Sequence, residues 1–171
     1  YEENFQGTDA GFLRTVVKSW EGSLKPFQAI EVKTTALRIG IVLDPQEGAL
    51  PKLMGPVKYY FGAALACGDQ WQSWIHIDDL VRLLMFVLES KLEGVYNAVA
   101  PNPVQQIELT KAIAKILQRP LVLPNVPEFA LRLMLGEMRA IALESQRVCA
   151  SKIQDAGFKF NFLELESALE D

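Results

Sequence analysis

A nearly unbroken apolar run, Thr34-Thr35-Ala36-Leu37-Arg38-Ile39-Gly40-Ile41-Val42-Leu43, is closed by Asp44-Pro45. A strand with one wet face alternates apolar and polar residues. A run like this one suits a strand covered on both faces, the habit of parallel sheets flanked by helices. Parallel strands need crossover connections, and the chain supplies candidates in alternation. Phe12, Leu13, Val16, Val17 and Trp20 recur at helical spacing before the run, and Pro26 marks the expected end of that helix. After the run, Ser73-Trp74-Ile75-His76-Ile77 reads as extended and Leu80 to Leu88 as an amphipathic helix. Val95 to Val99 is a second short strand, and a further helix spans about Ile107 to Leu117. The fold class is α/β.

Other stretches are less regular. Leu50-Pro51 opens an irregular, partly helical segment through Phe61, and Gly62 to Asp69 reads as a short strand and a turn. Pro127 stands where a first-turn proline belongs, starting a helix through Leu135. A helix is expected around Gln146 to Asp155 with Gly157 as its stop, and a last short one near Leu163 to Leu169. The Phe158-Lys159-Phe160-Asn161-Phe162 alternation fits a short packed strand. Two or three strands are few for a doubly wound sheet, so the chain is expected either to be half of such a domain or to pair with another partner.

Composition excludes several classes of function. Of 171 residues half are hydrophobic and 22% charged, which suits a globular chain. The net charge of −4 supplies no basic footprint for nucleic acid. No apolar run reaches membrane-spanning length, so no membrane partner is expected. Cys67 and Cys149 lie far apart without a CxxC spacing, as buried, reduced thiols would in a cytoplasmic protein, and no metal site is expected. No G-x-G-x-x-G turn occurs, so the chain carries no dinucleotide phosphate cradle of its own.

Two constellations carry the polar chemistry. In an extended strand, Trp74 and His76 point to one face and Ile75 and Ile77 to the other. Asp78 and Asp79 follow at the strand-to-helix junction, where carboxylates cap amides and meet the helix dipole. One reading makes His76 a hydrogen-bonded junction residue. The other has Trp74 and His76 lining a pocket at the carboxyl edge of the sheet. The second constellation lies in the apolar run. Arg38 needs an ionic partner there, and Gly40 marks close approach of another backbone or of a ligand.

Three motifs fall in the order and spacing of the carboxyl-terminal half of extended short-chain dehydrogenases, the NAD-dependent epimerase/dehydratase superfamily. Leu37-Arg38-x-x-Ile41-Val42-Leu43-Asp44-Pro45 resembles its L-R-x-x-N-V-Y-G-P, Trp74 to Asp79 its f-i-H-v-D-D, and Gly94-Val95-Tyr96-Asn97-Ala98 its G-x-Y-N-v. Glu21 and the tail, with Arg132 to Glu137, Ser145-Gln146-Arg147-Val148 and Ala156 to Phe160, resemble an atypical epimerase-like branch. That branch carries an extra carboxyl-terminal domain of unknown function.

The resemblance implies a partial Rossmann-type doubly wound parallel sheet with a small, mostly helical substrate-side subdomain. It implies the end of the Rossmann-like domain in 1–50, a substrate-side region in 51–120 and a helical tail domain in 121–171. NADP or NAD is the implied cofactor, bound here through Arg38, Gly40, Ile41 and Val42, with its main motif expected before residue 1. Gln72, Trp74 and His76 are the implied substrate-side residues. The implied partners are a small-molecule substrate and a second copy in a homodimer. The sequence departs from the family where chemistry is concentrated. The family's Tyr-x-x-x-Lys falls on Leu13 and Val17, its strand Asn on Ile41, and the Arg before its motif His on Gln72. An epimerase or oxidoreductase is one expectation; a dinucleotide-binding protein without catalysis is the other.

Overall fold

Gly40 divides the long apolar run in two. In a computed structural model, which describes residues 12–127, 129 and 145–171 and side chains from residue 15 onward, the run forms β1 (Thr35–Ile39) and β2 (Ile41–Leu43). β1 pairs in parallel with β5 (Gly94–Ala98), and β2 pairs in parallel with β4 (Trp74–His76). The handover occurs at the glycine: Gly40 N–H donates to Ala98 O at 3.2 Å and Ile41 N–H to Ser73 O at 2.8 Å. Ala100 N–H donates to Trp74 O, so β4 is hydrogen-bonded on both flanks. A Cβ at residue 40 would lie 2.5 Å from Ser73 O and 2.8 Å from Val99 Cγ1, which only glycine avoids. A third pair, β3 (Trp71–Gln72) with β6 (Val104–Gln105), is antiparallel and departs from the parallel pattern.

Seven helices among the described residues accompany the strands. They are α1 (Phe12–Gly22), α2 (Lys25–Gln28), α3 (Leu50–Lys58), α4 (Ile77–Glu89), α5 (Gln106–Ile116), α6 (Ser151–Asp155) and α7 (Leu165–Glu170). Pro26 opens α2 instead of closing α1, because a first-turn proline forfeits no helical bond. The segment expected to be irregular and partly helical from Leu50 through Phe61 is helical from Leu50 to Lys58, with Pro51 in its first turn. Gln105 N–H donates to Glu108 Oε2 at 2.7 Å, closing a capping box that starts α5. Of the strand expected in 62–69 only the isolated bridge Leu65 to Val126 forms. The helix expected from Pro127 to Leu135 falls largely outside the described residues.

The strand register sorts side chains into two cores. Ile41, Leu43 and Trp74 face one, with Leu50 and Val57 of α3, Leu109 and Ile113 of α5, and Leu165 and Ala168 of α7. Val42 and Ile75 face the other, with Leu80, Leu83 and Val87 of α4, Tyr96 and Ala98 of β5, and Ile153 of α6. Trp74 and Ile75, successive in sequence, are both fully buried on opposite faces. Each such side chain contributes about 1.5–3 kcal/mol of burial free energy. A doubly covered sheet is thus present, as the apolar run requires.

Residues 145–171 are stitched into this unit. Trp71 N–H donates to Ser145 Oγ at 3.0 Å and Gln146 N–H to Trp71 O at 3.1 Å. Ser73 Oγ donates to Gln146 O at 2.7 Å and accepts from Val148 N–H at 2.9 Å. Asn97 Nδ2 donates to Cys149 O at 3.0 Å. Residues 146–150 place their hydrogen bonds on Trp71, Ser73 and Asn97, and the expected helix begins only at Ser151. Gly157, at φ +103°, follows its end. Phe158 to Phe162 forms no strand. Phe158 joins the second core and Phe162 packs against the first. Among the described residues no helix is long and apolar enough to cross a membrane.

Candidate functional site

The carboxyl end of β2 opens onto a cleft of about 420 Å³ lined by Gly40, Ile41, Val42, Asp44, Glu47, Gly48 and Ala49. Its rim is built by the Asp44-Pro45-Gln46-Glu47-Gly48 turn. Asp44 Oδ1 accepts the amides of Gln46 at 2.8 Å and Glu47 at 3.3 Å, and Gly48 takes φ +80° to bring the chain round into α3. The floor is apolar, from Ile41 and Val42, and the rim is acidic. A cleft outside the carboxyl ends of parallel strands is where open α/β sheets bind ligands.

Three of the four residues assigned to a cofactor from sequence, Gly40, Ile41 and Val42, therefore meet at one cleft. Arg38 is not among its lining residues. Its Nε lies 2.6 Å from Glu21 Oε1 and its Nη2 3.0 Å from Glu21 Oε2, a two-bond ion pair tying β1 to α1. This is the ionic partner an arginine in an apolar strand requires. The backbone approach at Gly40 comes from Ser73 and the side-chain approach from Val99.

The substrate-side residues lie elsewhere. Gln72 is half-buried in β3, opposite Val104. Trp74 is fully buried in the first core, its Nε1–H donating to Asn102 O at 3.0 Å. His76 is 2% exposed, with the Phe162 ring at 3.9 Å between centroids. None of the three lines the cleft of Gly40, Ile41 and Val42. Trp74 touches it only through strand register, opposite Ile41.

His76 is a junction residue. It is the N-cap of α4, its Nδ1 accepting the Asp78 amide at 3.2 Å. An accepting Nδ1 leaves the proton of the neutral ring on Nε2, the atom 3.7 Å from Asp171 Oδ2. His76, Asp78 and Asp171 bring ligand-type atoms within 4.8 Å of one another.

The expectation that Asp78 and Asp79 cap α4 is corrected: His76 is the N-cap, Asp78 lies in the first turn, and Asp79 serves another segment. Fully buried, it turns away from its own helix and accepts the backbone amides of Asn161 at 3.0 Å and Phe162 at 2.9 Å. Arg82 Nη1 pairs with the same carboxylate and Arg82 Nη2 donates to Lys159 O at 2.9 Å. The charge is buried because it is paired and hydrogen-bonded. Asp79, Ser73 and Glu21 are the structurally consequential polar residues whose partners sequence reasoning did not name. The one available signal was the second of two adjacent acids, since a helix end needs only one. Cys67, expected buried, is exposed, with its thiol 2.6 Å from Asp69 Oδ1.

Comparison with known proteins gives this geometry a context. Residues 126–171 match the family described as a domain of unknown function, DUF1731. An epimerase family protein of Staphylococcus aureus strain MRSA252 is 36% identical over 172 residues, covering 100% of this chain and 57% of that protein. One of Staphylococcus saprophyticus is 38% identical over the same shares. The chain thus spans a little over half the length of the curated relatives it matches. Among solved structures, human epimerase family protein SDR39U1 with NADPH superposes with a TM-score of 0.87 at 30% identity, over 99% of this chain and 58% of that one. A nucleoside-diphosphate sugar epimerase from Corynebacterium glutamicum gives a TM-score of 0.78 at 26% identity, over 99% of this chain and 32% of that one. By sequence and fold the chain is similar to epimerase family proteins over a little more than half of their length.

Proposed function

We propose that the cleft at the end of β2 receives the nicotinamide end of NADP or NAD in a protein acting as an epimerase or oxidoreductase on a small, sugar-nucleotide-like substrate. The observation that carries this reading is the convergence of Gly40, Ile41 and Val42 with the 44–49 turn on one open cleft at the strand ends. The volume falls within the range of small-molecule sites, and the SDR39U1 structure that holds NADPH supports the choice of cofactor. Ile41 and Val42 present an apolar surface suited to the face of a planar ring. Asp44 and Glu47 make an acidic rim unsuited to a diphosphate, and the chain has no glycine-rich cradle, so the residues present fit the nicotinamide end alone. When bound, the cofactor supplies hydride chemistry. Gln72 keeps part of its side chain at the surface for a substrate contact, and Trp74 and His76 support β4 from within.

A second reading, a dinucleotide-binding protein without turnover, is favoured by one observation. The positions of the family's proton-donating pair hold Leu13 and Val17, which carry no transferable proton. The deciding experiment is NADPH and NADH titration of the full-length protein by fluorescence, with Ala49→Phe to fill the cleft. Affinity should fall at least tenfold in that variant with an unchanged melting temperature. An unperturbed Kd would remove the cleft from consideration, and no cofactor binding would sink both readings. Tight binding without conversion of any sugar nucleotide or small carbonyl would select the second.

A further inference from the structure

The cleft at the end of β2 carries side-chain charge of one sign. Asp44 and Glu47 line it together with the apolar Ile41, Val42 and Ala49. Among the described residues no cation lines it, and neither carboxylate is paired with an arginine or a lysine. Asp44 is half-buried and held by the turn, its Oδ1 accepting the amides of Gln46 and Glu47, while the Glu47 side chain is exposed. Two opposing charges lie nearby. Lys52, in the first turn of α3, is exposed and does not line the cleft. The amino end of α3, next to cleft-lining Ala49, contributes about half a positive charge. Two carboxylates outweigh it, so the rim is negative.

A ligand gains from such a rim by bringing positive charge to it. In a nicotinamide dinucleotide the oxidised ring is a positively charged pyridinium and the reduced ring is neutral, while the phosphates are the same in both. We propose that Asp44 and Glu47 bias the cleft toward the oxidised form of the cofactor. The carboxylates attract the pyridinium and leave the neutral ring unaffected. Their repulsion of the phosphates is common to both forms and cancels in the comparison. Partly exposed charge pairs are each worth about 1.4- to fivefold in an equilibrium constant. By linkage, every tenfold of preference lowers the potential of the bound two-electron couple by about 30 mV. The reduced cofactor is then the stronger hydride donor in this site than in water.

The inference rests on the reading that the cleft receives the nicotinamide end. The test is titration of the full-length protein with NADP+ by calorimetry and with NADPH by fluorescence, repeated in an Asp44→Asn, Glu47→Gln double variant. Asparagine keeps the acceptor oxygen that the turn uses. Asp155→Asn, at an exposed position of α6 outside the cleft, is the control. The ratio of the NADP+ Kd to the NADPH Kd should rise about threefold or more in the double variant and stay level in the control. Most of the rise should vanish at about 0.5 M salt, where exposed charges are screened. Glu47→Gln alone, a change at an exposed side chain, should raise the ratio about 1.4-fold or more, and it decides the matter if the double variant melts early. An unchanged ratio in a folded variant that binds both forms overturns the proposal and leaves the cofactor reading standing. An equal rise in the control also overturns it, by tracing the preference to net charge. Failure of the wild type to bind either form defeats the cofactor reading and this proposal with it.

Discussion

Asp79 meets the cost of a buried charge with two backbone amides and an arginine, and the partners it satisfies belong to the chain's last turns. Replacing it with alanine strands the amides of Asn161 and Phe162 and leaves Arg82 without its carboxylate. The expected loss is about 3–5 kcal/mol, read as a lower urea midpoint. Asp79→Asn, which keeps one acceptor oxygen, should lose roughly half as much. Gly40→Ala has a different cause, because the new methyl must displace Ser73 O or Val99. A cost of about 1–3 kcal/mol is expected in the same assay, and wild-type stability would show that the strands part freely at that point. Arg38 and Glu21 form a coupled pair. A double-mutant cycle should give about 1 kcal/mol of coupling that shrinks with added salt. At this scale the sequence was only half legible. It demanded a partner for Arg38 and close contact at Gly40, but a partner 17 residues away carries no local signal. His76 could be placed at a helix start, whereas its cover by Phe162 depends on long-range packing.

Among the elements, the 145–171 segment has the most dependents. It puts Ala150, Ile153 and Phe158 into one core and Leu165 and Ala168 into the other. Asn102 adds a tie by donating to Leu163 O at 3.2 Å and Glu164 Oε1 at 2.9 Å. A chain ending at Ala156 should therefore lose its cooperative thermal transition; a sharp melt at the original temperature would show the segment to be dispensable. Ser73→Ala removes both bonds that hold residues 146–148, with about 1–2 kcal/mol lost and faster limited proteolysis in that stretch. Helices with strong periodicity were the most legible, α5 to within a residue at each end and α4 to within three at its start and one at its end. The non-helical 146–150 stretch was not, because its hydrogen bonds go to Trp71, Ser73 and Asn97, all distant in sequence. The phenylalanine alternation misled for a related reason. The amides of Asn161 and Phe162 are taken by a side chain, Asp79, where a strand would offer carbonyls.

For the whole molecule, the doubly covered sheet followed from one apolar run, and the two cores are its direct expression. The cleft was legible as three successive residues of the apolar run, and its rim as a turn, but the absence of Trp74 and His76 from its lining was not. Neighbouring motifs in sequence diverge here because β4 places Trp74 in one core and turns His76 into a helix cap. The order of synthesis gives the late ties a temporal meaning. Trp71 waits 74 residues for Ser145, and Asp79 waits 82 for Asn161. Contacts so distant along the chain slow folding, so an emerging polypeptide holds its β4 region incomplete until residues 145–162 have been made. A translation product that stops before Ser145 is thus expected to leave these groups unmet and to aggregate more readily than a longer one.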